Sequence, residues 1–86
     1  MKLHGKLIRE RKIMRDIMVE NNQPDISYRD RLEKCLVEVC AGLEIPVPLW
    51  LDKNTKEFIA YHKTIFTNEQ FMDRVWFDKF EIRVEG

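Results

Sequence analysis

An α+β fold is predicted by three observations: apolar residues alternate near both ends of the chain, one strongly amphipathic helical stretch lies between, and breakers are few. Glycine occurs only at positions 5, 42 and 86, and proline only at 24, 46 and 48. At 86 residues the chain has room for one domain, residues 1–86. The expected architecture is an N-terminal β-hairpin and a C-terminal strand forming a small antiparallel sheet, packed by one long and two short helices.

In the first part, Leu3, Leu7, Ile13, Ile17 and Val19 share odd numbering, and Arg9 to Lys12 is charged throughout. This spacing predicts a hairpin turning near Glu10. The rival is a single basic helix over residues 3–20, because Ile13, Met14, Ile17 and Met18 also fit an i, i+3, i+4 stripe. The proposed turn lacks the Asn-Gly or Asp-Gly that would decide between them.

The second part is a helix. Ser27 is a good N-cap, and Asp30, three residues on, favours the positive helix end. Tyr28, Leu32, Cys35, Leu36, Val39, Cys40 and Leu43 recur at helical spacing, with Arg29, Arg31, Glu33, Lys34 and Glu38 mostly opposite. Gly42 is placed to end it with positive φ, before Pro46 disfavours helix at Ile45. Pro46 to Leu51 must then be extended.

In the third part, Asp52 or Asn54 can cap a short helix reaching about Lys63, with Phe58, Ile59 and His62 on one side. A second short helix, about two turns long, is predicted from Thr67: Thr67 and Gln70 have capping-box spacing, and Phe66 and Phe71 have staple spacing. From Val75 the period changes to two, with Trp76, Phe80, Ile82 and Val84 alternating against Phe77, Lys79, Glu81 and Arg83, which predicts a strand over Phe77 to Glu85. The same alternation puts Asp78 beside Trp76 and Phe80, where it either frays at the sheet margin or pairs with Arg15.

Fifteen basic and fifteen acidic side chains cancel, and 44% of residues are hydrophobic. That balance excludes disorder and a polybasic tail. No apolar run approaches the roughly 20 residues of a membrane span, and the N-terminus lacks the apolar region of a secretory signal. A cytoplasmic setting with no membrane partner is expected. Cys35 and Cys40 are about 140° apart on one helix, so neither can bridge to the other; both are expected as free core thiols.

Chemistry-bearing clusters are scarce. His4 and His62 lie far apart, and no His/Cys spacing fits zinc, so neither metal nor cofactor is expected. Ser27 is the only serine and has a helix to cap, and no glycine-rich loop can cradle phosphate. No catalytic residue is identified. The first 20 residues hold six basic against three acidic side chains. Of these, Arg9, Arg11, Lys12 and Arg15 could track phosphates, although Glu10 and Asp16 offset them and the pI is only 6.7. Aromatics point elsewhere. Trp50 follows a Pro-x-Pro segment, and Trp76 and Phe77, being adjacent on a strand, would face opposite sides, leaving one ring outside a one-sided core.

From Ile45-Pro46-Val47-Pro48-Leu49-Trp50-Leu51-Asp52 through Lys63-Thr64-Ile65-Phe66 to Phe77-Asp78-Lys79-Phe80-Glu81-Ile82, the chain resembles a small uncharacterised protein family of Firmicute bacteria. The resemblance covers most of the length and implies a bacterial cytosolic setting, with no activity, cofactor or site to carry over. The reading that follows is a small cytosolic protein-interaction or accessory module without catalytic activity, self-associating or binding a protein partner through Trp50, Trp76 and Phe77. The alternative is a weak nucleic-acid-binding domain using Arg9, Arg11, Lys12 and Arg15 of the hairpin.

Overall fold

The strand period of the N-terminal residues prevails over their helical stripe. In a computed structural model that describes residues 1–85, β1 (Lys2–Arg9) and β2 (Lys12–Glu20) form an antiparallel hairpin. They are followed by α1 (Tyr28–Leu43), α2 (Asp52–Tyr61), β3 (Lys63–Thr67), a 3-10 turn at Asn68–Gln70, and β4 (Lys79–Glu85). The four strands make one antiparallel sheet in the order β2-β1-β4-β3, so β1 and β4 are central and β2 and β3 are edges. None of the described helices is long and apolar enough to cross a membrane.

One sheet face carries the core. Leu3, Gly5 and Leu7 of β1 pair with Val84, Ile82 and Phe80 of β4, and Thr64 and Phe66 of β3 continue the row. Leu36, Val39, Cys40 and Leu43 of α1 are buried against it. The helix lies close, and two glycines explain how. A Cβ at Gly5 would run into Val39 Cγ1 and come within 3.1 Å of Phe80 Cε1, while one at Gly42 would run into Ile17 Cδ1. Gly42 is therefore a contact residue inside the helix and not its terminator. The left-handed position falls to Glu44 (φ 58°), whose N–H donates to Ala41 O (3.1 Å) while Ile45 N–H donates to Cys40 O (2.9 Å), closing a Schellman motif. The N-terminal expectation holds, with Ser27 Oγ accepting from Asp30 N–H at 3.1 Å.

The hairpin turn is made by Glu10 and Arg11, with φ of 52° and 67°. Two positive φ values in succession match the twist of a type I′ turn, which ordinarily selects Asn-Gly. Asp78 supports it from the far end of the chain: its carboxylate accepts from Glu10 N–H (2.8 Å) and its own N–H donates to Ile8 O (2.9 Å). This replaces both earlier expectations for Asp78, fraying and pairing with Arg15. A register shift between Leu7 and Ile8 leaves Met14 unpaired, so that Leu7 faces Arg15 but Ile8 faces Ile13. The bulge moves Ile13 out of the row of Leu3, Leu7, Ile17 and Val19 onto the open face, where it is exposed.

The third part departs furthest from expectation. Lys63-Thr64-Ile65-Phe66-Thr67 is a strand, making the sheet four-stranded instead of three-stranded. The helix expected from Thr67 shrinks to one 3-10 turn, because Phe71 is extended (φ −102°, ψ 139°) and turns its ring onto Phe77 and Phe80. One long and one short helix remain. The last strand begins at Lys79, so Trp76, Phe77 and Asp78 lie outside it and do not alternate across a sheet.

Two outcomes follow for stability. Gly5→Ala should destabilise by about 1–3 kcal/mol through overpacking against stiff Val39, while Gly42→Ala should cost less, since the Ile17 methyl can swing aside and alanine favours helix; denaturant melts give the order. Replacing Glu10-Arg11 by Asn-Gly should stabilise by roughly 1 kcal/mol. In the same assay Asp78→Ala should destabilise more than Asp78→Asn, which keeps an acceptor oxygen.

Candidate functional site

Trp50 lines a surface depression between the two helices. Its backbone belongs to the extended segment after α1, which cannot be helical at Ile45 and Val47 because each precedes a proline. Buried amides pin the segment down. Leu49 N–H donates to Gln70 O (2.7 Å), and Gln70 Nε2 donates to Leu49 O (3.0 Å) and to Asn54 Oδ1 (2.9 Å). Asn54 Oδ1 also accepts from Leu51 N–H (2.9 Å), and its Nδ2 donates to Thr64 Oγ1 (2.8 Å). Leu51 is thus the N-cap residue of α2. Asn54, the third helical residue, reaches back to its N–H, and Asp52 makes no cap. With Thr64 donating to Glu57 Oε1 (2.6 Å), the buried side chains Asn54, Thr64 and Gln70 are all paired.

Trp50 is fixed on this frame. Its indole N–H donates to Thr55 Oγ1 (2.8 Å), and its ring meets Phe58 and Phe66 edge-on at 5.8 and 5.6 Å. Its remaining surface, 37% exposed, enters a groove of about 770 Å³ between α1 and α2. α1 supplies Tyr28, Leu32 and Leu36 to one wall, α2 supplies Phe58 and Ile59 to the other, and Pro48 lies in the floor region with Trp50. Arg29 and Glu33, one helical turn apart, also line it. Ile59 is 75% exposed. The groove exists because α1 packs on β1 and β2 while α2 packs on β3, leaving the two helices apart.

The other expected interface residues lie elsewhere and separate. Phe77 is 1% exposed, T-shaped against Phe71 at 5.2 Å, and so belongs to the core; it is not a surface anchor. Trp76, 46% exposed, covers the edge of Phe77 at 5.5 Å and lies two residues before the Asp78 clamp on the hairpin turn. Neither lines the groove. Arg9, Arg11, Lys12 and Arg15 are all exposed at the hairpin tip. Tyr28, Leu32 and Ile59 were not singled out as site residues from sequence. The sequence carried no such signal, since Phe58 and Ile59 were expected on one side of the helix; the structure buries Phe58 and leaves Ile59 exposed.

No group of three or more His, Cys, Asp or Glu among the described residues could hold a metal ion. His62 takes the left-handed position after α2 (φ 56°), its N–H donating to Phe58 O and its carbonyl accepting from Val84 N–H. Cys35 and Cys40 are free and both buried, although 140° of helix rotation had placed them on different faces; the stripe covered by the sheet is wide enough for both. Burial pushes the Cys40 thiol up to about 12 from its usual 9.0. Burial raises Cys35 too, against the lowering field of the N-terminal ammonium.

A thiol raised in the folded state keeps its proton after the unfolded chain has lost it. The stability it contributes is therefore complete below pH 9.0 and is lost as pH rises towards about 12. Cys40→Ala should flatten that decline in pH-dependent denaturant melts. A thiol-specific disulfide reagent near pH 8 should label the native protein only as fast as it opens, and label denatured chain at once.

Comparison with protein families, curated proteins and solved structures yields no match in any of the three.

Proposed function

We propose that the protein is a small non-catalytic protein-interaction module, and that its docking surface is the groove between α1 and α2, with a second copy of the chain as occupant. The observation that carries the reading is the groove itself: an apolar trough holding a rigid, partly exposed Trp50, rimmed by the protruding Ile59. Tryptophan held by its own scaffold is a typical interface anchor, because little side-chain entropy remains to be lost on binding.

A second copy fits by charge and shape. Arg29 and Glu33 are opposite charges one turn apart on α1. Antiparallel apposition of two α1 helices about a two-fold axis sets each arginine against the partner's glutamate, with the Tyr28 and Leu32 side chains between them. An isologous interface needs such self-complementarity. Ile59 is a knob beside a hole, so the same axis can seat each isoleucine in the other copy's groove. A cytoplasmic setting suits this reading, since both thiols are free.

Molar mass by light scattering across a concentration series should show reversible dimerisation. Ile59→Asp should weaken it tenfold or more; Arg29→Glu and Glu33→Arg should each weaken it, and the double exchange should restore it. A monomer at all concentrations, or failure of the double exchange to rescue, overturns the proposed assembly.

A further inference from the structure

The hairpin tip offers a second surface whose charge depends on strand register. Arg9 and Lys12 are cross-strand partners, as are Leu7 and Arg15. Residues opposite one another in an antiparallel pair point to the same side, and Arg9 is two residues from Leu7 on the same strand. Arg9, Lys12 and Arg15 therefore project from the helix-bearing face. The bulge at Met14 produces this grouping, because without the extra residue Lys12 and Arg15 would fall on opposite sides.

Asp16 is sorted the other way. Asp16 pairs with Lys6 across the strands and its Oδ2 lies 2.8 Å from His4 Nε2, on the open face. Asp78 is held by Glu10 N–H. Among the described residues, ion pairs involve only His4, Asp16, Arg83 and Glu85, so Arg9, Arg11, Lys12 and Arg15 have no carboxylate partner. Asp16 is thereby drawn away from the tip, while Glu10 and the Asp78 carboxylate bonded to Glu10 N–H remain there against the four cations.

An exposed tryptophan lies two positions before the Asp78 clamp that holds the hairpin turn. Phe71 packs on both Phe77 and Phe80 in the core, and the chain runs on to Asp78, whose N–H is bonded to Ile8 O at 2.9 Å. Trp76 is two residues from Asp78, so its Cα lies within about 7 Å of that of Asp78. Trp76 is 46% exposed. The turn presenting Arg11 is built from non-glycine residues at positive φ.

We infer that the hairpin tip and Trp76 form a binding site for single-stranded nucleic acid, distinct from the interhelical groove. Phosphates are met by Arg9, Arg11, Lys12 and Arg15, and an unpaired base stacks on Trp76. A duplex fits less well, since its bases are already stacked and cannot reach the indole. Phosphate contact combined with base–aromatic stacking is how sequence-tolerant single-strand binders work.

The test is fluorescence anisotropy of a labelled oligothymidine of about 12 nucleotides, a length within single-strand site sizes, with Trp76 emission followed in a Trp50→Phe background. Four phosphate contacts predict that log affinity falls with log salt at a slope near −3, about 50-fold between about 50 and 200 mM. Arg9→Ala/Lys12→Ala/Arg15→Ala should bring the slope near −1, while Lys53→Ala/Lys56→Ala/Lys63→Ala, an equal loss of charge, should leave binding intact. Trp76→Ala should weaken binding about tenfold without changing the slope. Circular dichroism melts establish that each variant is folded. No binding at low salt, equal loss in both triple variants, or unquenched Trp76 emission in the complex would each overturn the assignment, as would tighter binding of a duplex of equal length.

Discussion

The distance between α1 and the hairpin is the constraint on which the rest of the fold depends. Gly5 on β1 and Gly42 on α1 both leave out the side chain where the two layers meet, one beneath Val39 and the other above Ile17. The helix consequently settles low enough for Cys35, Val39 and Cys40 to be almost wholly buried. In so short a chain this matters more than in a large one, since every apolar contact is a larger share of a small total. The low seat also directs the chain onward: Glu44 must take the left-handed conformation that ends α1, and the two prolines then carry it across the sheet as an extended strap.

Beyond the strap a different kind of interaction takes over. Asn54, Thr64 and Gln70 replace apolar packing with a closed set of hydrogen bonds linking strap, α2, β3 and the 3-10 turn. Such a network is costly when half satisfied and specific when complete. It fixes α2 to β3, away from α1, and it is this separation that opens the groove and leaves Trp50 in it. The molecule thus has two differently built halves, and the groove is the seam between them.

What could be read from sequence divides along the same seam. Local signals were sufficient for α1, where Ser27, Asp30 and the apolar stripe agree, and for the alternation of Leu3, Leu7, Phe80, Ile82 and Val84. β3 was hidden because five residues, Lys63 to Thr67, are too few for a period to show and directly follow a helix. The Thr67–Gln70 signal was real, with Gln70 Oε1 accepting from Thr67 N–H at 3.1 Å, but Phe71 gains more from burial than from a second helical turn. Trp76 and Phe77 fitted a strand by spacing, although the core takes Phe77 from a loop. Of the candidate site, Trp50 was visible as an aromatic after a rigid strap; its groove was not, because it depends on how far apart two helices are held. The grouping of Arg9, Lys12 and Arg15 was equally out of reach, since it turns on a one-residue bulge at Met14.

The Asp78 clamp also bears on the order of folding. Hairpins usually close early because a favourable turn brings neighbouring strands together at little entropic cost. Here Glu10 and Arg11 disfavour their own conformation, and the acceptor that steadies them is 68 residues away in the chain. β1 is likewise flanked by β2 from its own end and β4 from the other. The N-terminal hairpin is therefore completed by β4, which ties two segments distant in the chain into one cooperative unit and gives a nascent chain no stable hairpin until Asp78 and β4 are made.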